Sequence, residues 1–344
     1  MRAVVFDNPG PADVLHLVED YPVPEPGEGE VRVRVRAAAL NRLDIWVRNG
    51  LPNSKLKMPH ITGADAAGDV DKVGRGVSDW QPGQRVVVDP GLSCGHCDFC
   101  RSAQENLCAE FKLLGEDTTG TYAEYIVVPA RNLLLLPEQI SYAEGAGAAL
   151  VFLTAWHSLI TKGNLRPGET VLIVGAGGGV NSASIQIAKL AGAKVFVVGS
   201  NQHKLEQAKT LGADELIDRS VEDWSKAVFT RTGKRGVDVV VDNVGKETLF
   251  GSIRAVRRGG RILIVGNTSG PQAEIDLRYI FRKHISIIGS TMAPHADFAT
   301  VMRLVFEGKL KSIVGATFPL AQAAEAHRVL EKGEVFGKVV LEIP

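Results

Sequence analysis

The stretch VLIVGAGGGVNSASIQIAK, residues 171–189, decides the fold. Its apolar start predicts a buried strand, and the residues after the glycines have the apolar spacing of a helix. Backbone amides and the positive end of a helix at such a junction can hold a pyrophosphate. The dinucleotide fingerprint G-x-G-x-x-G is short of one glycine in either frame, and a purely structural glycine turn is the alternative. The candidate phosphate-binding residues are Gly175, Ala176, Gly177, Gly178, Gly179, Val180 and Asn181.

Strand and helix patterns alternate on both sides of this turn. Apolar runs that predict strands recur across residues 151–290, and most are separated by helical segments. Such runs describe a parallel sheet that is covered on both faces, which is the doubly wound Rossmann arrangement of an α/β protein. The six predicted strands are VLIV (171–174), KVFVV (194–198), DELID (214–218), VDVVVD (237–242), RILIV (261–265) and HISIIG (284–289).

The first 150 residues have a different pattern. In EVRVRVRAAAL, residues 30–40, valines alternate with arginines, which is typical of a strand with one face in solvent. Pro-Gly turns follow at close intervals, so a small β-barrel or sandwich is the simplest interpretation. The residues from about 291 to 344 carry two helix patterns and the strand KVVLEI, and we expect them to return to this first domain.

The end of the second predicted strand bears on cofactor choice. An NAD-preferring site places a carboxylate about 20 residues beyond the glycines, where it accepts from the ribose 2′-hydroxyl. FVVGSNQHK, residues 196–204, has no Asp or Glu. It offers donors and cations, which suit a 2′-phosphate. We therefore expect NADP(H) rather than NAD(H), with contacts from Ser200, Asn201 and Lys204; a solvated role for Lys204 is the alternative.

All four cysteines lie in SCGHCDFCRSAQENLC, residues 93–108. Cys94, Cys97, Cys100 and Cys108 supply four thiolates, enough for a closed tetrahedral zinc site. Such a site leaves no open coordination position, so we expect one structural zinc ion per chain.

Composition excludes several classes of protein. The 344 residues allow a little over two domains at roughly 150 residues each. The 39 basic and 39 acidic residues balance, so the chain offers no basic field for nucleic acid or an anionic membrane. The N-terminus lacks a signal-peptide pattern, and no stretch is expected to approach the roughly 20 apolar residues of a spanning helix. A cytoplasmic protein is the expectation.

These features together resemble the medium-chain dehydrogenase/reductase superfamily over essentially the whole chain. The motifs that carry the resemblance are NRLD (41–44), GADAAG (63–68), the cysteine lobe near 90–110, GTYAEY (120–125), LTAW (153–156), the glycine turn, KLEQAKTLGAD (204–214) and FGKVVL (336–341). The resemblance implies a GroES-like β-barrel catalytic domain over 1–150, completed by 291–344, and a Rossmann domain over 151–290. It also implies hydride transfer between a nicotinamide cofactor and an alcohol, aldehyde, quinone or activated enoyl compound.

The resemblance separates two branches of the family. Zinc alcohol dehydrogenases hold a catalytic zinc with a Cys in C-x-x-D, a His in G-H-E and a further ligand before the T-A segment. The matching positions here are Asn41, Ala64 and about Leu150, none of which is a normal zinc ligand. We therefore expect no zinc at the reaction centre, as in quinone oxidoreductases and enoyl reductases. An alternative metal set of His60, Asp44, Asp65 and His157 stays open.

The same branch gives the candidate catalytic residues. Asn41 is expected to donate a hydrogen bond to the reacting oxygen, and Asp44 to orient the site rather than act as a base. Trp46, Leu51, Leu92 and Phe152 are candidates for the pocket lining. Cofactor contacts implied by the resemblance are Arg42, Thr154, Asn243, Val244, Gly266, Asn267, Thr268, Ser290, Thr291 and Lys338.

Three functions remain open at this stage. The leading one is an NADPH-dependent reductase of a quinone, enone or other activated carbonyl compound, without catalytic zinc. The others are a zinc-dependent alcohol dehydrogenase and a non-catalytic NADPH-binding protein. RILIV and HISIIG lie near a predicted sheet edge, which makes a homodimer, or a homotetramer built from it, the expected assembly.

Overall fold

The computed structural model describes residues 1–51 and 56–344. The chain forms two compact units. We call Met1–Leu153 together with Ala293–Pro344 the split unit, and Thr154–Met292 the central unit.

Among its described residues, the split unit begins with nine strands and three α-helices. The strands are β1 (Ala3–Val5), β2 (His16–Val18), β3 (Glu30–Ala39), β4 (Asp65–Val73), β5 (Arg85–Val88), β6 (Gly91–Leu92), β7 (Lys112–Leu113), β8 (Tyr125–Pro129) and β9 (Leu133–Leu135). The helices are α1 (Arg42–Asn49), α2 (Asp98–Arg101) and α3 (Tyr142–Trp156).

The central unit follows with six strands and five helices. The strands are β10 (Thr170–Val174), β11 (Lys194–Gly199), β12 (Glu215–Asp218), β13 (Val237–Asp242), β14 (Val256–Ile264) and β15 (Ser286–Gly289). The helices are α4 (Gly179–Leu190), α5 (Gln202–Thr210), α6 (Trp224–Arg231), α7 (Leu249–Ala255) and α8 (Leu277–Lys283). The chain then re-enters the split unit through α9 (His295–Phe306), β16 (Val314–Pro319), α10 (Ala323–Lys332) and β17 (Lys338–Glu342).

The strand β3 organises the split unit. Its alternating valines are fully buried, and its arginines face outward, where Arg32 and Arg36 pair with Asp71 and Asp69 on β4. The strand is antiparallel to β4 along one side, and to β8 and β17 along the other. On the second side, β8 pairs with residues 30–34 of β3 and β17 pairs with residues 37–39. One long strand thus brings together three parts of the chain that are distant in sequence. Residues 37–39 of β3 thereby meet residues 340–342 of β17.

The central unit is a six-stranded parallel sheet in the order β12-β11-β10-β13-β14-β15. This is the Rossmann order, and it confirms the predicted doubly wound fold. All residues of β13 are buried, as are residues 195–199 of β11, because helices cover both faces. β15 lies at an edge of the sheet with Ile287 exposed, so the dimer expected through this edge stays a prediction.

One expectation from the sequence is wrong. The helix Tyr142–Lys162 has 21 residues, and by length and composition it is long and apolar enough to span a membrane. However, most of its apolar stretch is buried inside the protein, as in the core helix of a folded domain. Its last segment, His157–Lys162, is π-helical and continues the helix that begins at Tyr142.

Candidate active site

The candidate catalytic residues lie where β3 gives way to α1. Asn41 is the residue before α1, and its backbone N–H donates to Asp44 Oδ2 at 2.8 Å. Tyr122 Oη donates to the same oxygen at 2.9 Å. Asp44 is thus held by two donors in a buried position at the first turn of the helix. These contacts fit the predicted orienting role of Asp44.

The amide of Asn41 does not present a free donor. Its Nδ2 donates to Asp65 Oδ2 at 3.0 Å and contacts the Ala39 carbonyl oxygen at 3.5 Å. Its Oδ1 accepts from Lys338 Nζ at 2.6 Å. This orientation follows from chemistry, because an ammonium group only donates and a carboxylate only accepts. The expected hydrogen bond from Asn41 to a reacting oxygen is therefore not supported; the amide positions Asp65 and Lys338.

Lys338 and Asp65 form a buried ion pair. Lys338 Nζ lies 3.0 Å from Asp65 Oδ2, and the two side chains are 4% and 0% exposed. The other carboxylate oxygen, Asp65 Oδ1, accepts from the backbone N–H of Leu150 at 2.8 Å. Sequence reasoning treated Lys338 only as a cofactor contact. The lysine reaches Asn41 because β17 pairs with β3, and no local pattern reveals that pairing.

The residues at this centre do not suit a catalytic metal. Ala64 offers no ligand atom, and Leu150 contributes only its backbone N–H. Over residues 1–51 and 56–344, the groups of three or more His, Cys, Asp or Glu side chains that could hold an ion all lie between positions 94 and 110. The alternative set of His60, Asp44, Asp65 and His157 is thus not formed, and His60 Nε2 instead donates to the Gly115 carbonyl oxygen at 3.0 Å.

Burial controls the charge of Asp44. Loss of hydration raises its pKa from an ordinary 3.8 to about 7, although the donors Asn41 and Tyr122 and the nearby Lys338 ammonium act in the opposite direction. The side chain is 1% exposed. The Asp44 carboxyl group can therefore take up or release a proton near neutral pH.

The remaining candidates of the split unit are placed at its surface or in its core. Arg42 is exposed at the start of α1. Phe152 is fully buried, as expected of a core residue rather than a substrate contact. Trp46, Leu51 and Leu92 are half-buried, so they stay candidates for the pocket lining.

The four cysteines form a zinc-competent cluster. Their Sγ atoms all lie within 4.8 Å of one another. Cys94 and Cys97 Sγ are 3.8 and 3.5 Å from Cys100 Sγ. Tetrahedral zinc with bonds of about 2.3 Å separates its sulfur ligands by about 3.8 Å. The residues therefore fit a structural zinc ion, which Cys94, Cys97, Cys100 and Cys108 would hold.

The glycine turn of the central unit is shaped by close approaches. Gly175 has φ +109°, and a Cβ there would lie 2.4 Å from Asn181 Nδ2, so only glycine is accommodated. Gly178 precedes α4 in an extended conformation, which leaves the first amides of the helix unpaired within it. The turn thus provides the amide-lined helix start that a pyrophosphate requires.

Neighbouring strand ends are joined to this turn. Asn243 Nδ2, beyond β13, donates to Asn181 Oδ1 in α4, and Thr268 N, beyond β14, donates to the Asn243 carbonyl oxygen. Asp242, which sequence reasoning missed, accepts from the Val244 and Gly245 amides at 2.9 and 3.0 Å. The predicted contacts Asn243, Val244, Gly266, Asn267 and Thr268 therefore belong to one connected edge of the sheet.

Four buried polar atoms of the central unit, among its described residues, lack a hydrogen-bond partner; one is Ser184 Oγ, and the other three lie at predicted cofactor contacts. Within the described part of the chain, Thr154 Oγ1, Asn243 Oδ1 and Ser290 Oγ make no hydrogen bond. Buried polar groups are normally paired, so such atoms mark a place for a polar ligand. All three were predicted cofactor contacts, and the residues fit a nicotinamide dinucleotide. Thr291 already interacts with a partner within the protein, and its contact with a cofactor stays a prediction.

No carboxylate side chain follows β11 directly; the charged residue nearest to its end is Lys204, in α5. A Cβ built on Gly177 would lie 3.3 Å from Lys204 Nζ, so the lysine reaches across the glycine turn. Asn201 Oδ1 accepts from Lys204 N at 3.1 Å and caps α5, and Ser200 is exposed.

Comparison with known proteins identifies the family. Residues 27–138 match the alcohol dehydrogenase GroES-like domain family, and residues 179–307 match the zinc-binding dehydrogenase family. The chain belongs to the medium-chain dehydrogenase/reductase superfamily, and it is an oxidoreductase.

Relatives that match nearly the whole chain are named for different activities. The NAD-dependent alcohol dehydrogenase of Saccharolobus solfataricus is 31% identical over 333 residues, which is 94% of this chain and 95% of that protein. The quinone oxidoreductase of Rattus norvegicus is 31% identical over 349 residues, 99% of this chain and 97% of that protein. A crystal structure of an NAD-dependent alcohol dehydrogenase matches all of both chains with a TM-score of 0.97 and 49% identity.

The cysteine cluster predicts metal dependence. We expect about one zinc ion per purified chain, and Cys108→Ser should lose it and lower the melting temperature by on the order of 5–10 °C, as the loss of a few kcal/mol implies. Metal analysis and thermal unfolding measure the two effects.

The matched control is His96→Ala, which alters the same loop without removing a thiolate and should keep the zinc. A Cys108→Ser protein that retains a full equivalent of zinc would contradict this assignment of the ligands.

The raised pKa of Asp44 predicts a pH-dependent stability. Because the folded state holds this proton to about pH 7 and the unfolded state only to about pH 4, ionisation disfavours the fold. Relative to Asp44→Asn, the wild-type free energy of unfolding should fall by up to about 1.4 kcal/mol per pH unit between those values. Denaturant unfolding at several pH values measures it.

Asp79→Asn serves as the control, because Asp79 is an exposed carboxylate of the same unit. Parallel pH profiles for wild type and Asp44→Asn would show that Asp44 is not the group responsible.

Proposed function

We propose that the protein is an NADPH-dependent reductase that transfers hydride to a quinone or α,β-unsaturated carbonyl compound without a metal at the reacting centre. The observation that carries this proposal is the Asn41–Lys338–Asp65 cluster. Asn41 stands at one of the positions where the zinc-dependent members of the family are expected to hold their metal, and the cluster pairs its single carboxylate, Asp65, with the Lys338 ammonium instead.

We infer the class of acceptor from the lack of suitable ligands for a catalytic metal ion at this centre. A metal that polarises a carbonyl oxygen stabilises the transition state by several kcal/mol. An unactivated ketone depends on that help, because all the developing charge falls on one oxygen. In a quinone or enone the charge spreads over a conjugated system, so hydrogen-bond donors suffice.

The chain's own residues bind and orient the reactants. A bound nicotinamide cofactor supplies the hydride. Amides at the start of α4 would hold its pyrophosphate, and Thr154, Asn243 and Ser290 have polar atoms free for it. In the split unit, Asp44 fixes the backbone of Asn41, and Asn41 in turn holds the Lys338 ammonium.

The NADPH preference rests on Lys204. The second βα unit of this sheet has no carboxylate at the end of β11, and the Lys204 side chain lies over Gly177. A 2′-phosphate there would gain a charge-assisted hydrogen bond. The relatives that are named NAD-dependent favour NADH instead, so the affinities for the two cofactors must be compared directly.

A second candidate function is the oxidation of an alcohol. It is favoured by the 49% identical structure of an NAD-dependent alcohol dehydrogenase. The third possibility, a non-catalytic nucleotide-binding protein, requires the same orphaned polar atoms in the central unit but no turnover.

The test is an acceptor panel monitored by NADPH absorbance. We expect 1,4-benzoquinone or 2-cyclohexen-1-one to be reduced at least about tenfold faster than cyclohexanone, since about 1.4 kcal/mol of barrier separates rates by that factor. A chelator should leave the rate unchanged while the cysteine cluster keeps its zinc. Ethanol oxidation that a chelator abolishes, together with two zinc ions per chain, would favour the alcohol dehydrogenase instead. NADPH binding without oxidation by any acceptor would favour the non-catalytic protein.

The cofactor choice is tested by Lys204→Ala. Loss of a charge-assisted hydrogen bond worth about 1.5–3 kcal/mol should raise the Kd for NADPH by roughly 10- to 150-fold and leave the Kd for NADH unchanged. Fluorescence titration gives both constants. Lys209→Ala, on the same helix, is the matched control, and tighter binding of NADH than NADPH by the wild type would refute the preference.

A further inference from the structure

We propose that the Lys338 ammonium takes the place of a catalytic metal and donates a hydrogen bond to the oxygen on which negative charge develops. This inference rests on the proposed function. It gives the lysine a catalytic role, in place of the cofactor contact that the family resemblance implies.

The first argument is position. Asn41 and Leu150 stand where the family's zinc ligands are expected, and both make contacts with Asp65. Lys338 Nζ lies 2.6 Å from Asn41 Oδ1 and 3.0 Å from Asp65 Oδ2. A cationic group therefore sits at the point to which these positions converge. The chain supplies a positive charge at that point from its own side chains.

The second argument is the count of hydrogens. An ammonium group has three N–H donors. Within the described part of the chain, Lys338 gives one to Asn41 and one to Asp65, and one is left. Asn41, by contrast, turns its amide hydrogens to Asp65 and Ala39. The lysine is thus the group in this cluster with a donor to spare.

The third argument is electrostatic. The Lys338 side chain is 4% exposed, and burying an ammonium costs several kcal/mol unless its partners compensate. Asp65 balances the charge, and Asn41 and Leu150 hold the pair in place. A donor fixed in advance, in a medium of low dielectric constant, stabilises a developing oxyanion without reorganisation.

The reaction step then balances as follows. For an enone, the hydride that a bound NADPH would release, which would leave NADP⁺, forms a C–H bond at the β-carbon. The C=C π-electrons shift toward the carbonyl carbon, and the C=O π-electrons move onto the oxygen to give an enolate. The enolate oxygen accepts a hydrogen bond from the third N–H of Lys338. A proton from water then forms a C–H bond at the α-carbon, which gives the saturated ketone and hydroxide, and the ammonium keeps its own protons throughout.

The experiment must separate lost catalysis from lost folding. Lys338→Met leaves Asp65 as an unpaired buried carboxylate, so the double variant Lys338→Met/Asp65→Asn removes the cation and its counter-charge together. Asp65→Asn alone keeps the ammonium, and Lys338→Arg keeps a cation. Lys332→Met, at the exposed end of α10, is the matched control. Thermal unfolding establishes that each variant is folded.

For the reduction of 2-cyclohexen-1-one, the folded double variant should lose about 10²–10³ in kcat, as expected for an oxyanion donor. Its Kd for NADPH should stay within about twofold of wild type. Asp65→Asn and Lys338→Arg should keep more activity than the double variant. A double variant with a wild-type kcat overturns the inference, as does a rise in the NADPH Kd that accounts for the whole loss, because Lys338 would then hold the cofactor.

A binding measurement separates this inference from the proposed function. 4-Nitrophenol is an oxyanion probe whose absorbance reports its ionisation, and it can be titrated into NADP⁺-loaded protein whether or not turnover occurs. The bound phenol should ionise at a lower pH in wild type and Lys332→Met than in the double variant. Equal ionisation in all three overturns the role of Lys338, whereas turnover without any acceptor preference overturns only the proposed function.

Discussion

One buried pair of charges organises the candidate active site of the split unit. Lys338 and Asp65 are removed from water, and each is stable there only because the other is present. The side-chain amide of Asn41 binds both partners: its Oδ1 accepts a hydrogen bond from the ammonium group, and its Nδ2 donates one to the carboxylate. A pair of this kind offers little net stability compared with apolar side chains of similar size.

The central unit meets a different requirement, which is to keep several strand ends in register around a ligand. Parallel strands bring their carboxyl ends to one edge, and the chain then has to hold irregular loops there. Asp242 holds the loop that follows β13, because its carboxylate accepts hydrogen bonds from two backbone amides of that loop and from the hydroxyls of Thr248 and Ser252. The loop backbone is thus held by Asp242, and a polar atom such as Asn243 Oδ1 is left without a hydrogen-bond partner.

Local patterns predicted what local physics controls. The apolar runs around residues 171–289 predicted all six parallel strands, most clearly β10, β11 and β13, which are buried on both faces and so have little freedom in composition. The cysteine spacing likewise predicted a cluster that the structure forms. The contacts of Asn41 were not predictable in this way. They depend on the pairing of β17 with β3, across about 300 residues of chain, and no spacing rule reports on that register. The apolar character of the helix Tyr142–Lys162 was missed because polar residues between Thr154 and Thr161 interrupt its apolar run.

The pairing of β3 with β17 also has a consequence for biosynthesis. The central unit is continuous in sequence, so all of its strands are available once residue 292 has left the ribosome. The split unit lacks a strand of its sheet until residues 338–342 emerge. A nascent chain can thus complete its nucleotide fold while Asp65 still waits for its counter-ion, and the reacting centre is assembled last.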